Sequence, residues 1–452
     1  MVDAAPIGTF DQAVAFLLRL VRDDPRPYQS RAELPIRALL ARIGDPHLGL
    51  PAVHIAGSKG KGSTALYLEA ILQAAGLRTG TFTSPHLQRW TERYRIDGRE
   101  STPAELTALL ARLQPHVLAL ENELAASAPS FFDVLTAVAF LMFAERGVDC
   151  AIIETGIGGR LDATNVVHPR LACITSIELE HTDKLGTTIS AIAQEKAGII
   201  KTGVPVLTGM LPEEADSVVR AHARRLDAPV SALGREIELR TRRLADAGLA
   251  IHVADSGGAY DARLPDAAGG VQAHNAALAI ACAHRLAARR APALGRAVSV
   301  ALAETRLPGR LEVLAQHPWI VIDGAHTPES GRALADTLGN LPARRMHLVI
   351  SLSAGRDAVA VLAPLLHRAH RIVVTNADSS RSLDARAIVE RLVASGFDAE
   401  RVRAVPDPRQ ALLEARAQLA RDDLLCVAGS MYMAGVARET LTGDADRARH
   451  TA

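Results

Sequence analysis

An apolar run from Ala52 to Ile55 leads straight into Gly-Ser-Lys-Gly-Lys-Gly-Ser-Thr, residues 57–64, and then into an amphipathic stretch from Ala65 to Ala75. That order reads as a strand, a glycine loop and a helix. Gly57, Gly60 and Gly62 carry no Cβ, so the backbone can wrap closely on a polyphosphate while its N–H groups and the positive helix end face the anion. Lys61 adds a point charge at the β- and γ-phosphates, and Ser58, Lys59 and Ser63 complete the loop. Gly62 stands directly after Lys61, where a hydroxyl normally holds magnesium, and Ser63 comes one place later. Part of a magnesium ligand set is therefore expected from elsewhere in the chain. A glycine turn made basic for solubility is the plain alternative, and the order of strand, loop, lysine, hydroxyl and helix speaks against it.

The 452 residues exceed one ordinary core, so two domains are expected. Lys+Arg 51 against Asp+Glu 50 gives a net charge of +1, which excludes a broad electrostatic surface for nucleic acid and leaves small molecules as partners. Met1 to Asp11 has neither a basic start nor an apolar core of the kind a signal peptide needs, and no later run reaches the length of a membrane span. A cytoplasmic protein is the expectation. Cys150, Cys173, Cys282 and Cys426 are far apart, lack CxxC spacing and sit in apolar segments, so buried reduced thiols are expected rather than a zinc site or disulfides.

Apolar runs alternate with stretches of helical period, the pattern of parallel sheets covered by helices. Cys150 to Thr155, Leu171 to Ile177 and Val204 to Thr208 read as buried strands, and Ala104 to Leu120 and Phe132 to Arg146 as helices. From Val230 to Gly270 short alternating pieces with turns at Asp246-Ala-Gly248 and Asp255-Ser-Gly-Gly258 predict antiparallel strands at the edge of the first domain. Ala273 to Arg289 returns to a helix. Leu307-Pro-Gly-Arg310 is the predicted hinge, dividing a first domain, 1–306, from a second, 307–452. Beyond it strands at Trp319 to Ile322, Met346 to Ser351, Arg371 to Thr375 and Leu424 to Ala428 predict a second, smaller open α/β sheet.

Glu154 closes a predicted strand beside Thr-Gly-Ile-Gly-Gly-Arg160, where a metal-binding acid belongs. His181, in Glu-Leu-Glu-His-Thr, follows the next strand, and Ser84, in Thr-Ser-Pro-His, follows the strand at Thr79 to Phe82. Three strands thus deliver a carboxylate, an imidazole and an oxygen toward the edge that holds the glycine loop. Each taken singly reads as an ordinary loop residue; their shared placement makes them candidate metal ligands.

With these motifs in view, the chain resembles the folylpolyglutamate synthase/dihydrofolate synthase family of the Mur ligase superfamily. The matching segments are Gly57 to Thr64, Thr83-Ser-Pro-His86, Thr91-Glu-Arg93, Ser130-Phe-Phe-Asp133, Glu154 to Asn165, Glu180-His-Thr182 and Gln194-Glu-Lys-Ala-Gly-Ile199. They continue with His274-Asn275, Leu307-Pro-Gly-Arg310, Asp323-Gly-Ala-His326 and Gly429-Ser-Met-Tyr432, in family order over nearly the whole chain.

The resemblance implies a P-loop-containing Mur-ligase-type α/β domain with a Rossmann-like C-terminal domain. It implies a monomeric, ATP-dependent amide ligase acting on folate or dihydropteroate and L-glutamate. Magnesium would be shared by Ser84, Glu154 and His181, with a monovalent cation as a further ion. The triphosphate would lie around Lys61, and Lys196 would be carbamylated, a cation turned into a carboxylate-like ligand; an ordinary surface lysine beside Glu195 is the alternative. Asn275 would contact adenine, Arg310 the phosphates and Asp323 the ribose, with His326 nearby. Arg93, Ser430 and Tyr432 are candidates for placing glutamate. Asp162 is a candidate for the pterin side, although Asp after a turn is commonly a helix cap.

Three departures bear on substrate choice. Ser58-Lys59 replaces the Thr-Asn common in bacterial members, and Thr327 replaces the Asn that usually follows the matching histidine; both variants resemble the eukaryotic folylpolyglutamate synthases. Ser351 to Asp357 keeps only its last acid where the family often has Asp-Lys-Asp. These loops favour glutamate chain elongation on reduced folates, with dihydrofolate synthesis from dihydropteroate as the alternative or second activity, and a related ligase for another carboxylate behind both.

Overall fold

The computed structural model describes residues 5–21, 34–245, 248–265, 269–287, 291–352, 357–377 and 382–442. Two compact units divide it: Met1–Thr241 with Ile251–Ala262 and His274–Thr305, and Arg242–Ala250 with Arg263–Ala273 and Arg306–Ala452. No helix of the described residues is long and apolar enough to cross a membrane.

The first unit is built on eight strands, β1 Ala52–Ala56, β2 Thr79–Phe82, β3 Tyr94–Ile96, β4 Arg99–Glu100, β5 Cys150–Glu154, β6 Leu171–Ile174, β7 Val206–Thr208 and β8 Val230–Ala232, in the order β4-β3-β2-β5-β1-β6-β7-β8. The strands β2-β5-β1-β6-β7-β8 run parallel, and β3 and β4 fold back antiparallel at one edge. β1, β2, β5 and β6 are buried along their whole length, as the unbroken apolar runs require of strands covered on both faces. One core packs the helices Pro103–Leu124 and Phe131–Arg146 with Phe82 and Tyr94; the other packs Ile189–Ala197 and Glu213–Arg225 against Ile174 and Val206.

The helix after the glycine loop spans Lys61–Ala74. Helix Pro103–Leu124 opens on a capping box in which Thr102 and Glu105 satisfy each other's backbone, the stop-and-start signal that its Ser-Thr-Pro opening carries. The predicted change of pattern begins at Glu238, not at Val230. Val230–Ala232 instead completes the parallel sheet against β7, because a three-residue strand is too short for its alternation to be told from an edge hairpin. β9 Glu238–Arg243, β10 Leu249–Asp255 and β11 Gly258–Leu264 form a separate sheet in sequence order. The two-residue link between β10 and β11 requires an antiparallel pair. The turn foreseen at Asp246-Ala-Gly248 lies partly outside the described residues, as does the end of the predicted helix Ala273 to Arg289, observed as Gly270–Leu286.

The second unit holds β12 Glu312–Gln316, β13 Trp319–Ile322, β14 Met346–Ile350, β15 Ala369–Val374, β16 Val402–Ala404 and β17 Leu424–Ala428, ordered β12-β13-β17-β14-β15-β16. All neighbours are parallel except β12 and β13. Leucine-rich helices cover both faces, around Leu348 and Cys426 on one side and Val349 and Val427 on the other. All four cysteines are free and buried, as their apolar settings predict.

Candidate active site

Register decides which loops meet. Ile55 of β1 pairs with Glu154 of β5 on one side and Cys173 of β6 on the other, so the loops after all three strands leave the sheet at one level. This is the edge where the strand order reverses direction around β1, the place where open α/β sheets bind ligands.

The glycine loop is held by the loop after β6. Ser58 N–H donates to Ser176 O at 2.8 Å, Lys59 N–H to Ser176 Oγ at 2.9 Å, and Glu178 N–H to Ser58 Oγ at 2.9 Å. Gly57 and Gly60 have φ of 152° and 85°. A Cβ on Gly57 would stand 1.9 Å from Thr175 Oγ1, and one on Gly60 2.2 Å from Asn275 Oδ1, so close approach as well as backbone angle demands glycine. Gly60 caps the helix without a side chain, which leaves the first helical amides for an anion. Lys61 Nζ donates to Gly57 O at 2.8 Å, curled over the loop it would share with a phosphate. Asn275, buried on helix Gly270–Leu286, abuts the same loop.

Glu154 is 2% exposed, and its Oε2 accepts Ser84 N–H at 2.9 Å. β2 and β5 are paired with Phe82 opposite Ile153, so Ser84 emerges beside Glu154 as the sequence predicts. Lys196 is 1% exposed, with Nζ 2.8 Å from Glu180 Oε1. Burial lowers its pKa to about 8 against the opposing pull of Glu180, and Lys61 and Lys59 push the same way as burial. Burial works against the Glu180 carboxylate, yet Lys196 and Lys61 carry its pKa below the usual value. His181 follows in left-handed backbone, φ 46°, at the start of the short helix Thr182–Leu185. Desolvation together with Lys61 and Lys196 lowers its pKa against Glu180. Thr175 and Ser176 are site residues that motif reading did not single out, and Glu180 stands in the matched segment Glu180-His-Thr182 without a role assigned from sequence.

Magnesium wants hard oxygen ligands and keeps several waters, so one or two carboxylates suffice. Among the described residues no three His, Cys, Asp or Glu side chains gather as a ready-made metal cluster. The donors here fit magnesium in the thinner sense: Glu154 buried at the end of β5, with Ser84 against it and His181 after β6, on the far side of β1.

Asp162 caps the turn Ala163–Val166, with Oδ2 accepting Gly156 N–H at 2.9 Å and Ile157 N–H at 3.0 Å, and Oδ1 accepting Thr164 N–H at 3.1 Å. Arg93 is buried, donates from Nε to His86 Nδ1 at 2.9 Å and lies 5.5 Å from the Trp90 ring centre. Burial and then Arg93 lower the His86 pKa to about 4.

The remaining candidates belong to the second unit. Ile322 pairs with Val427, and Ala428 with Ile350, so Asp323, Gly429 and Ser351 leave the sheet together. Asp323 accepts Leu311 N–H at 2.8 Å and Ala325 N–H at 2.7 Å, fastening the Leu307 to Arg310 turn to the end of β13. Arg310 donates to Pro308 O at 3.3 Å. His326 Nδ1 lies 2.7 Å from Gly324 O; a carbonyl only accepts, so Nδ1 carries the proton. Ser430 Oγ accepts Met433 N–H at 3.1 Å at the start of helix Met431–Thr442, and Tyr432 is 46% exposed. The Ser351 to Asp357 segment lies mostly outside the described residues, and Asp357 caps helix Ala358–Leu366.

The Mur ligase middle domain matches residues 55–283 and the glutamate ligase domain of Mur ligases residues 309–431. A Mycobacterium tuberculosis protein named dihydrofolate synthase/folylpolyglutamate synthase is 38% identical over 83% of this chain and 80% of its own. Its Bacillus subtilis namesake is 35% identical over 90% and 94%. A Halobacterium salinarum protein named "Probable bifunctional folylpolyglutamate synthase/dihydropteroate synthase" is 37% identical over 96% of this chain, which spans 52% of that longer relative. Among solved structures, Mycobacterium tuberculosis folylpolyglutamate synthase complexed with ADP superposes with a TM-score of 0.86 at 35% identity over 96% of this chain and 98% of that one. An FPGS-AMPPCP-folate complex superposes at 0.78 and 30% identity over 96% and 100%. The chain belongs to the folylpolyglutamate synthase/dihydrofolate synthase family of Mur ligases.

Proposed function

We propose that this chain is a cytoplasmic ATP-dependent ligase that joins L-glutamate to folates as an amide, releasing ADP and phosphate. The observation that carries the reading is the uncapped glycine-loop helix with Lys61 over it, one strand from Glu154 and facing the Glu180–Lys196 pair. Relatives named for this activity, and the similar FPGS-AMPPCP-folate complex, support the substrate class.

The substrate carboxylate attacks the γ-phosphorus, the bond to the bridging oxygen breaks toward ADP, and an acyl phosphate forms. Loop amides and Lys61 offset the charge that gathers on the phosphoryl oxygens. The amine of glutamate then attacks the acyl carbonyl and phosphate leaves. Magnesium held by Glu154, Ser84 and His181 would supply charge neutralisation at the triphosphate. Lys196 is the residue to carry a carbamate: a neutral amine attacks CO2, forms an N–C bond and loses a proton, and its low pKa favours the neutral form. Asn275 would contact adenine, Arg310 the phosphates and Asp323 the ribose, with His326 nearby, and Arg93, Ser430 and Tyr432 would place glutamate.

Dihydrofolate synthesis is the second reading, favoured by the double names of the Mycobacterium and Bacillus relatives. Radiolabelled glutamate supplied with ATP to tetrahydrofolate and to dihydropteroate separately tests both. Incorporation with tetrahydrofolate supports elongation, and incorporation with dihydropteroate supports the second. Incorporation with neither overturns the substrate class. Lys61→Ala should lower turnover at least about a thousandfold while the fold is kept; activity near wild type would remove the phosphate-loop assignment.

A further inference from the structure

Thr164 stands between two buried groups with one hydroxyl proton to give. Its Oγ lies 2.8 Å from His54 Nε2 and is hydrogen-bonded to Asp162 Oδ1. Asp162 also takes the N–H groups of Gly156, Ile157 and Thr164. Burial raises the Asp162 pKa and these hydrogen bonds oppose it; three backbone N–H groups and one hydroxyl aimed at a single carboxyl fill the acceptor sites of its ionised form, which can only accept. The Thr164 proton therefore goes to Asp162, and the Thr164 oxygen must accept from His54. Nε2 then carries the ring proton and Nδ1 is a bare lone pair. His54 Nδ1 is indeed buried without a hydrogen-bond partner, a setting an imidazolium with two protons to place would not tolerate. The charged group facing the ring is Lys201, which donates to Asn165 and has Arg37 beyond it. Burial and then Lys201 lower the His54 pKa to about 3.

We infer that His54 is a positioning residue: through Thr164 it holds Asp162, and Asp162 holds the Gly156 and Ile157 amides just past Glu154. His54 belongs to β1, three residues before the glycine loop. The relay therefore ties the strand that delivers the phosphate loop to the loop that follows the candidate metal carboxylate. The glycine loop itself has separate anchors on Ser176 and Thr175, so breaking the relay disturbs the Glu154 side and spares nucleotide binding.

This rests on the ligase reading for its turnover assay alone; a tautomer measurement on the intact protein stands apart from it and tells the two failures apart. With ¹⁵N-labelled histidine, His54 should be neutral and Nε2-protonated from pH 8 to pH 5, its ring proton slow to exchange, and Thr164→Val should abolish that protection. His54→Leu and Thr164→Val should each lower kcat about tenfold, with ATP KM and ADP affinity within about twofold of wild type. The double variant should be no worse than either single one, as residues in one chain of contacts behave. His54→Gln, which keeps a donor near the Nε2 position, should recover most of the loss. An Nδ1-protonated or doubly protonated ring in that range would overturn the relay, whether or not the variants fold. Wild-type kcat in folded His54→Leu would overturn its positioning role.

Discussion

Lys196 is the residue whose chemistry depends most on its surroundings. An exposed lysine at pH 7 is neutral in about one molecule in 3,000, whereas a pKa of about 8 leaves roughly one in eleven neutral. Only the neutral amine attacks CO2, so at fixed dissolved CO2 the uptake at this site should rise as pH climbs from 7 through 8 and then level off. A ¹³C carbamate signal in the NMR spectrum should follow that course and vanish in Lys196→Ala. No signal, or one that persists in Lys196→Ala, would contradict a carbamate here. The lysine itself was legible from Gln194-Glu-Lys-Ala-Gly-Ile199, and Glu180 from Glu180-His-Thr182, but their pairing was not. They stand sixteen residues apart and meet only because β6 and the following helix fold back on one edge.

At the level of elements, sequence pattern located most of the strands that lead into candidate site loops to within a residue, since long apolar runs leave little choice of burial. β2, β13 and β17 have the predicted limits, β1 and β5 differ by one residue, and β6 ends at Ile174, three residues short of the predicted Ile177, because the chain there turns to hold the glycine loop. The stapling of the glycine loop was invisible, because its partners Thr175, Ser176 and Glu178 lie 116–120 residues away. That stapling makes Gly60 the sharpest test of the loop. Gly60→Ala meets both a φ of 85° and Asn275 Oδ1 at 2.2 Å. It should weaken ADP binding at least about tenfold, with a stability loss of about 1–2 kcal/mol from the left-handed backbone alone; unchanged ADP affinity by calorimetry would contradict the loop geometry. Glu154→Gln keeps shape and removes charge, so the magnesium needed for half-maximal turnover should rise by about tenfold or more. An unchanged magnesium requirement would show that Glu154 is not a ligand.

For the whole molecule, both units are open α/β sheets whose candidate site residues stand where parallel strands end: Glu154 and the loops after β1 and β6 in one, Asp323, His326 and Ser430 in the other. Backbone topology explains why a chain with no net charge to speak of can still concentrate Lys59, Lys61 and Lys196 around a single carboxylate, Glu180. The proposed ligase turns on one step, activation of a substrate carboxylate as an acyl phosphate before an amine displaces it. Folate substrate labelled with ¹⁸O in both oxygens of the reacting carboxylate, turned over with ATP and glutamate, should yield ADP and inorganic phosphate carrying one ¹⁸O per amide formed, read as an isotope shift in the ³¹P spectrum. Unlabelled phosphate, or AMP and pyrophosphate in place of ADP, would contradict the mechanism even if glutamate were joined.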